Sequence, residues 1–171
     1  MEKSNQPAAD ETRAAFFLFA NHPLQMKFYL LKNLPVALFS GVRVVRATEA
    51  ACTVSVPYKH FTRNPFRSTY FACLSMAAEM STGLLAMANV YGRKSRVSML
   101  ITGMEARFHK KATTHTFFTC SDGPLIREAV AIAAATGKVQ EVKAYSIGKN
   151  SGGEVMAEFW FTWSFKARAA G

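Results

Sequence analysis

The sequence predicts an α+β domain in which one curved, antiparallel sheet closes on a long central helix. Two observations support this prediction. Residues 68–91 form an apolar run whose large side chains point in nearly every helical direction, so this helix must be surrounded by protein. Several other segments alternate apolar and polar residues with the period of two that is typical of β-strands. A sheet wrapped around the helix satisfies both patterns.

The elements before the long helix follow from local signals. Residues 10–33 have apolar positions at helical spacing with an interruption at Asn21-His22-Pro23, which predicts two short helices. We expect these helices to form a lid or a docking element. Alternation in residues 42–46 and again in residues 52–56 predicts a β-hairpin. Ser68 is the expected N-cap of the long helix that follows, which ends near Tyr91-Gly92.

The elements after the long helix are mainly strands. Residues 97–110 and 113–120 are predicted strands, followed by an inserted helix from Pro124 to about Thr136 with Gly137 as its stop. Residues 139–147 and 154–167 form a last hairpin around a turn at 149–153. In its second strand one face is wholly apolar: Val155, Ala157, Phe159, Phe161, Trp163 and Phe165.

Length and composition indicate a single domain, residues 1–171, with a helical extension over residues 1–35 and a core over residues 36–171. The 21 Lys and Arg residues against 11 Asp and Glu give a net charge of +10. That charge suits nucleic acid, anionic lipid or a phosphorylated small molecule, and alone it does not choose among them.

The cysteines and the N-terminus favour a reducing, cytoplasmic setting. Cys52, Cys73 and Cys120 are odd in number, widely spaced and set in apolar contexts, unlike a disulfide framework. The N-terminal residues open polar and acidic, without the pattern of a secretory signal. The run 70–88 is long enough to cross a membrane, but Glu79 at its centre would cost roughly 3 kcal/mol on insertion scales. We therefore expect no membrane partner.

Several chemistries lack their motifs in this chain. The four histidines, His22, His60, His109 and His115, have no HExxH or Cys-pair context, so no metal site is expected. Walker, dinucleotide-binding and GxSxG motifs are absent from the sequence, and no cofactor is expected.

The carboxylate of Glu79 in the middle of the apolar helix requires an explanation. Asn64 precedes Glu79 by fifteen residues. The order of elements, this interval and the residues Ser68, Ala72, Leu74 and Gly83 resemble the hotdog-fold acyl-CoA thioesterase superfamily. The segment 108–112 is similar to the element after the family's third strand. Within the superfamily the chain is most similar to an uncharacterised thioesterase-like branch related to the phenylacetate-pathway thioesterases. The resemblance spans residues 40–167.

The resemblance implies a thioesterase acting on acyl-CoA or acyl-carrier-protein, with Glu79 as general base or nucleophile and Asn64 orienting the thioester carbonyl or water. It also implies a homodimer, or a tetramer built from it, with each site between two protomers. Burial should raise the pKa of Glu79. The backbone NH groups of Phe71 and Ala72 lie in the helix's first turn and are candidate oxyanion donors.

The remaining site predictions concern coenzyme A, which would enter as part of the substrate. Lys110, Lys111 and Arg67 are expected to bind its phosphates. Ser81 and Thr82 are weaker candidate helpers in catalysis.

Other interpretations remain open at this point. Many relatives have His-Gly-Gly where this chain has Tyr70-Phe71-Ala72, which places a ring where substrate often approaches bare backbone. The chain would then be a non-catalytic acyl-ligand-binding hotdog protein with a structural Glu79. A hotdog dehydratase would need a catalytic histidine, for which His60 is the nearest residue. A nucleic-acid binder is supported by charge alone, and because the sequence has no recognised nucleic-acid-binding motif we expect no nucleic-acid partner.

Overall fold

The computed structural model describes residues 6–91 and 97–167. Within these ranges the chain forms five α-helices, one short 3₁₀-helix (His60–Thr62) and six strands, and the sequence predicted all six strands and every α-helix except the third. The helices are α1 (Gln6–Asn21), α2 (Pro23–Asn33), α3 (Pro35–Ser40), α4 (Phe71–Val90) and α5 (Gly123–Thr136). The strands are β1 (Arg43–Ala47), β2 (Cys52–Val56), β3 (Val97–Phe108), β4 (Thr116–Cys120), β5 (Gln140–Asn150) and β6 (Val155–Ala167).

The six strands form one antiparallel sheet in the order β1-β2-β4-β5-β6-β3, which leaves β1 and β3 at its two edges. The ladder is irregular where Thr102 interrupts β3 and where Met156 interrupts β6. Such bulges increase the local twist, which helps the sheet to curve. Gly148 of β5 lies over the ring of Phe118, and a Cβ at this position would come within 2.3 Å of that ring. Only glycine fits there without displacing the ring.

Helix α4 fills the concave side of the sheet. It packs against β2, β4, β5 and β6 and against α5, and 13 of its 20 residues are buried. By length and composition it could cross a membrane, but 67% of the relevant window is buried inside the fold, as in the core helix of a soluble domain. Its inward polar groups are paired: Ser81 Oγ lies 2.8 Å from Ser146 Oγ, and Trp163 Nε1 donates to Thr82 Oγ1. These two hydroxyls therefore belong to the core.

The N-terminal helices pack on the core through α1 and the inner side of α2. Asn21 joins α1 to β1, because its amide donates to the carbonyl of Ala47 and its oxygen accepts from the NH of Ala47. The ring of Phe16 lies 6.1 Å from that of Tyr91 at the end of α4. Helix α3 was not expected from the sequence.

The predicted α+β architecture, a curved antiparallel sheet around a long helix with N-terminal helices and one inserted helix, is confirmed. Gly137 ends α5 in the left-handed conformation, as predicted. The prediction that the long helix begins near Ser68 is wrong. The helix begins at Phe71, its N-cap is Tyr70, and Ser68 Oγ instead lies 3.2 Å from Asn64 Oδ1.

Candidate active site

A cavity of about 730 Å³ opens beside the N-terminal end of α4. The cavity is lined by residues 63–66, 68–71 and 108–112 and by Leu74. The lining combines exposed aromatic rings with three cationic side chains, Arg63, Lys110 and Lys111. A volume of this size is ordinary for a small-molecule or cofactor site.

Asn64 organises the loop that forms one wall. Its side-chain oxygen accepts hydrogen bonds from the NH groups of Phe66 (3.0 Å) and Ser68 (3.1 Å) and from the Ser68 hydroxyl. Arg67 adopts a left-handed φ of 58° inside this tight loop. Within the described residues the Asn64 NH₂ group has no acceptor, so it remains able to donate to a ligand.

Hydrogen bonds of two threonines hold this loop in place, and those of Thr69 join it to the opposite wall. The NH and the hydroxyl of Thr69 both donate to the carbonyl of Ala112, at 2.7 and 3.0 Å. The NH of Tyr70 donates to the carbonyl of Thr62, whose side chain is fully buried. These bonds position the first turn of α4 at the cavity.

The first two residues of α4 present the backbone groups that the sequence suggested as oxyanion donors. Phe71 and Ala72 are the first two helical residues, and neither NH has an acceptor in the described part of the chain. The next two NH groups, of Cys73 and Leu74, donate to the carbonyl of Tyr70. Both open NH groups lie at the positive end of the helix dipole. Phe71 lines the cavity.

Glu79 lies on the partly exposed side of α4, where desolvation raises its pKa to about 6. Its carboxylate has no hydrogen bond or ion pair with any described residue. A Cβ at Gly83 would come within 2.9 Å of Glu79 Oε1 and 3.5 Å of the Trp163 ring, so the carboxylate folds over the bare backbone of Gly83. Burial and the nearby charges of Tyr91 and Glu79 raise the pKa of Tyr29 on α2.

A single chain does not bring Glu79 and Asn64 to one site. Glu79 does not line the cavity that contains Asn64. It lies eight residues beyond Phe71 along the helix, which at 1.5 Å per residue is about 12 Å.

The three predicted phosphate-binding residues have different surroundings. Lys111 lines the cavity and forms no ion pair within the described residues. Lys110 also lines it, but its Nζ lies 2.6 Å from Glu154 Oε1, and this contact lowers the pKa of Glu154. Arg67, which has the left-handed φ, does not line the cavity, whereas Arg63 of the same loop does.

His109 is a cavity residue to which the sequence analysis assigned no role. Its Nε2 lies 2.6 Å from Glu158 Oε2, and Tyr145 OH donates to the other oxygen of the same carboxylate. The hydrogen bonds from Tyr145 and His109 lower the pKa of Glu158. The pKa of Tyr145 is raised to about 12, mainly by burial and to a smaller extent by the neighbouring Glu158. Because 49 residues separate His109 from Glu158, no local pattern revealed this contact.

Among the described residues no group of three His, Cys, Asp or Glu side chains is arranged to hold a metal ion. The polar residues that line the cavity carry amide, imidazole, cationic and hydroxyl groups, and backbone NH groups lie beside them. These groups are suited to bind an anion or a carbonyl oxygen.

Comparison with known proteins identifies the fold and a family. The sequence model of a family described as "Domain of unknown function (DUF4442)" matches residues 30–163. A Pseudomonas aeruginosa structure, described as a protein of unknown function and probable thioesterase, superposes with a TM-score of 0.72 at 20% identity over 85% of this chain and 97% of its own. No curated protein matches the sequence.

Two further structures are similar at lower scores. The PaaI protein of the Escherichia coli phenylacetic acid degradation operon gives a TM-score of 0.59 at 12% identity, covering 91% of this chain and 97% of PaaI. A thioesterase of Haemophilus influenzae gives 0.58 at 11% identity, covering 80% and 86%. The fold is therefore the hotdog fold, and the expected similarity to thioesterase-like hotdog proteins, including the phenylacetate-pathway protein, is confirmed.

Proposed function

The chain belongs to the DUF4442 family and has the hotdog fold, and on this premise we propose that it is a cytoplasmic hydrolase of acyl-CoA or acyl-carrier-protein thioesters. The observation that carries the proposal is Glu79, an unpaired carboxylate on the central helix whose pKa burial raises to about 6. A base with this pKa is ionised at neutral pH yet basic enough to accept a proton from water.

In the proposed reaction Glu79 takes a proton from water as the water oxygen attacks the thioester carbonyl. The carbonyl oxygen becomes an oxyanion, which the open NH groups of Phe71 and Ala72 stabilise, these NH groups belonging to the protomer that supplies Asn64. The C–S bond then breaks, and the thiolate receives the proton from Glu79. The products are the free acid and the thiol. In an alternative route the Glu79 carboxylate attacks the thioester carbonyl directly, the C–S bond breaks and the thiolate leaves. The anhydride that this forms on Glu79 is then hydrolysed by water, which restores the carboxylate and supplies the proton of the thiol. Neither route requires a cofactor.

Asn64 supplies the orienting group in this proposal. Its side-chain oxygen is occupied by the loop, so the NH₂ group is fixed in direction and has its donors available. A fixed amide donor suits the thioester carbonyl or the attacking water, because preorganised donors need no reorientation during the reaction.

A homodimer completes the proposed site. Within one chain Glu79 does not line the cavity that contains Asn64, so in this proposal Asn64 of one protomer faces Glu79 of the other. Strand β3 supports this assembly because it lies at the sheet edge, is 12 residues long and exposes Leu100, Met104 and Phe108. An exposed, apolar edge strand is a typical site of strand pairing between chains.

Coenzyme A would bind through its phosphates at the rim of the cavity. Lys111 and Arg63 present cations there, Lys110 becomes available when it leaves Glu154, and His109 belongs to the wall formed by residues 108–112. Charge-assisted hydrogen bonds of this kind are the usual means of holding phosphate. In this proposal Arg63 takes the phosphate-binding role that the sequence suggested for Arg67.

A non-catalytic acyl-ligand-binding function is the second candidate. Phe71 favours it, because its ring is 54% exposed at the cavity where many relatives have glycine. A ring in this position narrows the approach of a thioester to the helix NH groups.

The test is to measure the hydrolysis of a panel of short to long acyl-CoA esters through the thiol that is released. Glu79→Gln should lower kcat by at least about a hundredfold, the usual contribution of a general base. The matched control is Glu128→Gln, a substitution of an exposed glutamate on α5, which should leave turnover unchanged. Equal turnover by Glu79→Gln would remove Glu79 from the mechanism. Tight acyl-CoA binding without turnover by the wild type would favour the second candidate.

A further inference from the structure

Helices α2 and α3 present a concentrated set of exposed apolar side chains. Six of them lie within sixteen residues, each between 45% and 72% exposed: Leu24, Phe28, Leu31, Leu34, Val36 and Phe39. We call this surface the α2–α3 face. Contiguous apolar patches on a protein surface usually mark an interaction site.

The helical geometry of α2 makes the face point away from the core. Leu24, Phe28 and Leu31 share one side, at spacings of four and three residues, whereas Met26 and Leu30 on the opposite side are buried. At 100° per residue, Lys27 and Lys32 lie roughly 60° and 80° to either side of Leu24. The apolar stripe is thus bordered by a lysine on each flank.

Helix α3, which follows α2 directly, adds two exposed apolar side chains. Val36 and Phe39, three residues apart, are exposed. Ala37, which lies between them, and Ser40, which follows Phe39, are buried. Leu34 joins the two helices and is also exposed.

The charge around the face has one sign. Residues 12–48 contain no Asp or Glu. Lys27, Lys32, Arg43 and Arg46 are exposed in this stretch, and none of them forms an ion pair within the described residues. The occupant of the face must therefore be apolar at its centre and anionic at its borders.

We infer that the α2–α3 face docks this protein on an anionic phospholipid surface. Leucine, valine and phenylalanine side chains would enter the boundary between headgroups and acyl chains, and the flanking lysines would extend their ammonium groups to the lipid phosphates. This is a surface contact by an amphipathic helix pair, distinct from the membrane-spanning helix that the sequence argued against. It does not depend on the role of Glu79.

A second copy of the chain fits the face less well. A two-fold interface places the same patch of each copy against the other, so it would bring Lys27 and Lys32 of both copies together without a carboxylate on either side. Like charges in such an interface are destabilising, whereas lipid phosphates neutralise them.

The test is co-sedimentation with vesicles of phosphatidylcholine alone and of phosphatidylcholine mixed with phosphatidylglycerol. The wild type should bind the mixed vesicles at least about tenfold more tightly, and added salt should reduce that difference. Phe28→Ser combined with Leu31→Ser should lower binding at least about tenfold, and Lys27→Gln combined with Lys32→Gln should abolish the preference for phosphatidylglycerol.

The matched control is Leu125→Ser, which changes an exposed leucine on α5 and should bind as the wild type does. Circular dichroism verifies that each variant is folded. Binding of the serine double variant equal to that of the wild type, or no vesicle binding by the wild type, would overturn the inference. It would also be overturned by light scattering showing that the wild type forms a larger oligomer which the serine double variant loses, because a second copy would then cover the face.

Discussion

At the scale of single residues, the environment of Glu79 decides its chemistry. The carboxylate is desolvated by burial and receives no compensating hydrogen bond from the described residues, so its pKa rises to about 6. Gly83 provides the space that the carboxylate occupies. The same arrangement that makes Glu79 a suitable base also makes its charge costly to the fold.

The pH dependence of stability should show this cost. Since the folded-state pKa of Glu79 lies above its ordinary 4.5, the native state binds this proton more tightly than the unfolded state. The free energy of unfolding therefore falls as pH rises from 4.5 through about 6, by up to about 2 kcal/mol. Glu79→Gln should remove this fall, which urea denaturation on both sides of the window measures. In the wild type kcat/KM should rise over the same window as the base ionises.

If the free energy of unfolding of Glu79→Gln falls with pH as much as that of the wild type, the fall is due to another group. A pH-rate profile that is flat across the window would contradict Glu79 as the base.

Gly83→Ala separates the position of the carboxylate from the stability of the helix. Alanine in a helix interior is about 1 kcal/mol more favourable than glycine, and the atom that the new Cβ meets is the end of a flexible side chain. We expect a fold at least as stable as the wild type, with kcat lowered because Glu79 Oε1 must move. Thermal unfolding and acyl-CoA hydrolysis measure the two effects. Ala131→Gly, at an exposed position of α5, would change helix propensity without touching Glu79 or the proposed oxyanion donors. Unchanged turnover in Gly83→Ala would show that the observed carboxylate position is not the working one.

At the scale of elements, β3 is the longer of the two edge strands of the sheet, with 12 residues against 5 in β1. One edge of the strand pairs with β6 and the other edge has no partner strand among the described elements. Its exposed Leu100 and Met104 are typical of a strand that pairs with another chain rather than one protected against pairing.

Leu100→Glu should break the proposed dimer, because two-fold pairing of β3 strands would bury the new carboxylates near each other. We expect a folded monomer with acyl-CoA hydrolysis largely lost, since Glu79 and Asn64 then come from one chain. Light scattering and the thiol-release assay measure these outcomes. Val45→Glu, at a 53% exposed position on the opposite edge strand β1, is the control and should leave both unchanged. An active Leu100→Glu monomer would refute the shared site.

At the scale of the whole molecule, the core isolates the cysteines. Cys52 and Cys120 lie opposite each other on β2 and β4, both fully buried, and burial raises the pKa of each to about 12. Cys73 is also buried, and desolvation raises its pKa. All three are free thiols.

The three thiols should therefore react with a disulfide reagent such as DTNB only when the protein unfolds, because the thiolate is the reactive form and none is accessible. The measured rates should follow the population of unfolded protein across a urea titration. Val45→Cys provides an exposed thiol on the same fold and should react at once. Rapid reaction of a native cysteine without urea would contradict the packing of β2 against β4.

By itself the sequence determined the architecture, because the period of apolar residues is a local signal. The all-round apolar run of α4 required a surrounding sheet, the alternation along β6 defined its inner face, and Gly137 marked the end of α5. The interval between Asn64 and Glu79 pointed to a thioesterase-like hotdog protein before any geometry was available. Only the tertiary structure decided which distant side chains meet. It showed that Ser68 hydrogen-bonds to the side chain of Asn64 and does not cap α4. It also showed that Arg63 lines the cavity and Arg67 does not. It also showed that His109 contacts Glu158, and that Glu79 lies away from Asn64 within one chain. These outcomes depend on strand register and loop closure across long stretches of chain, which the period of a local segment does not encode.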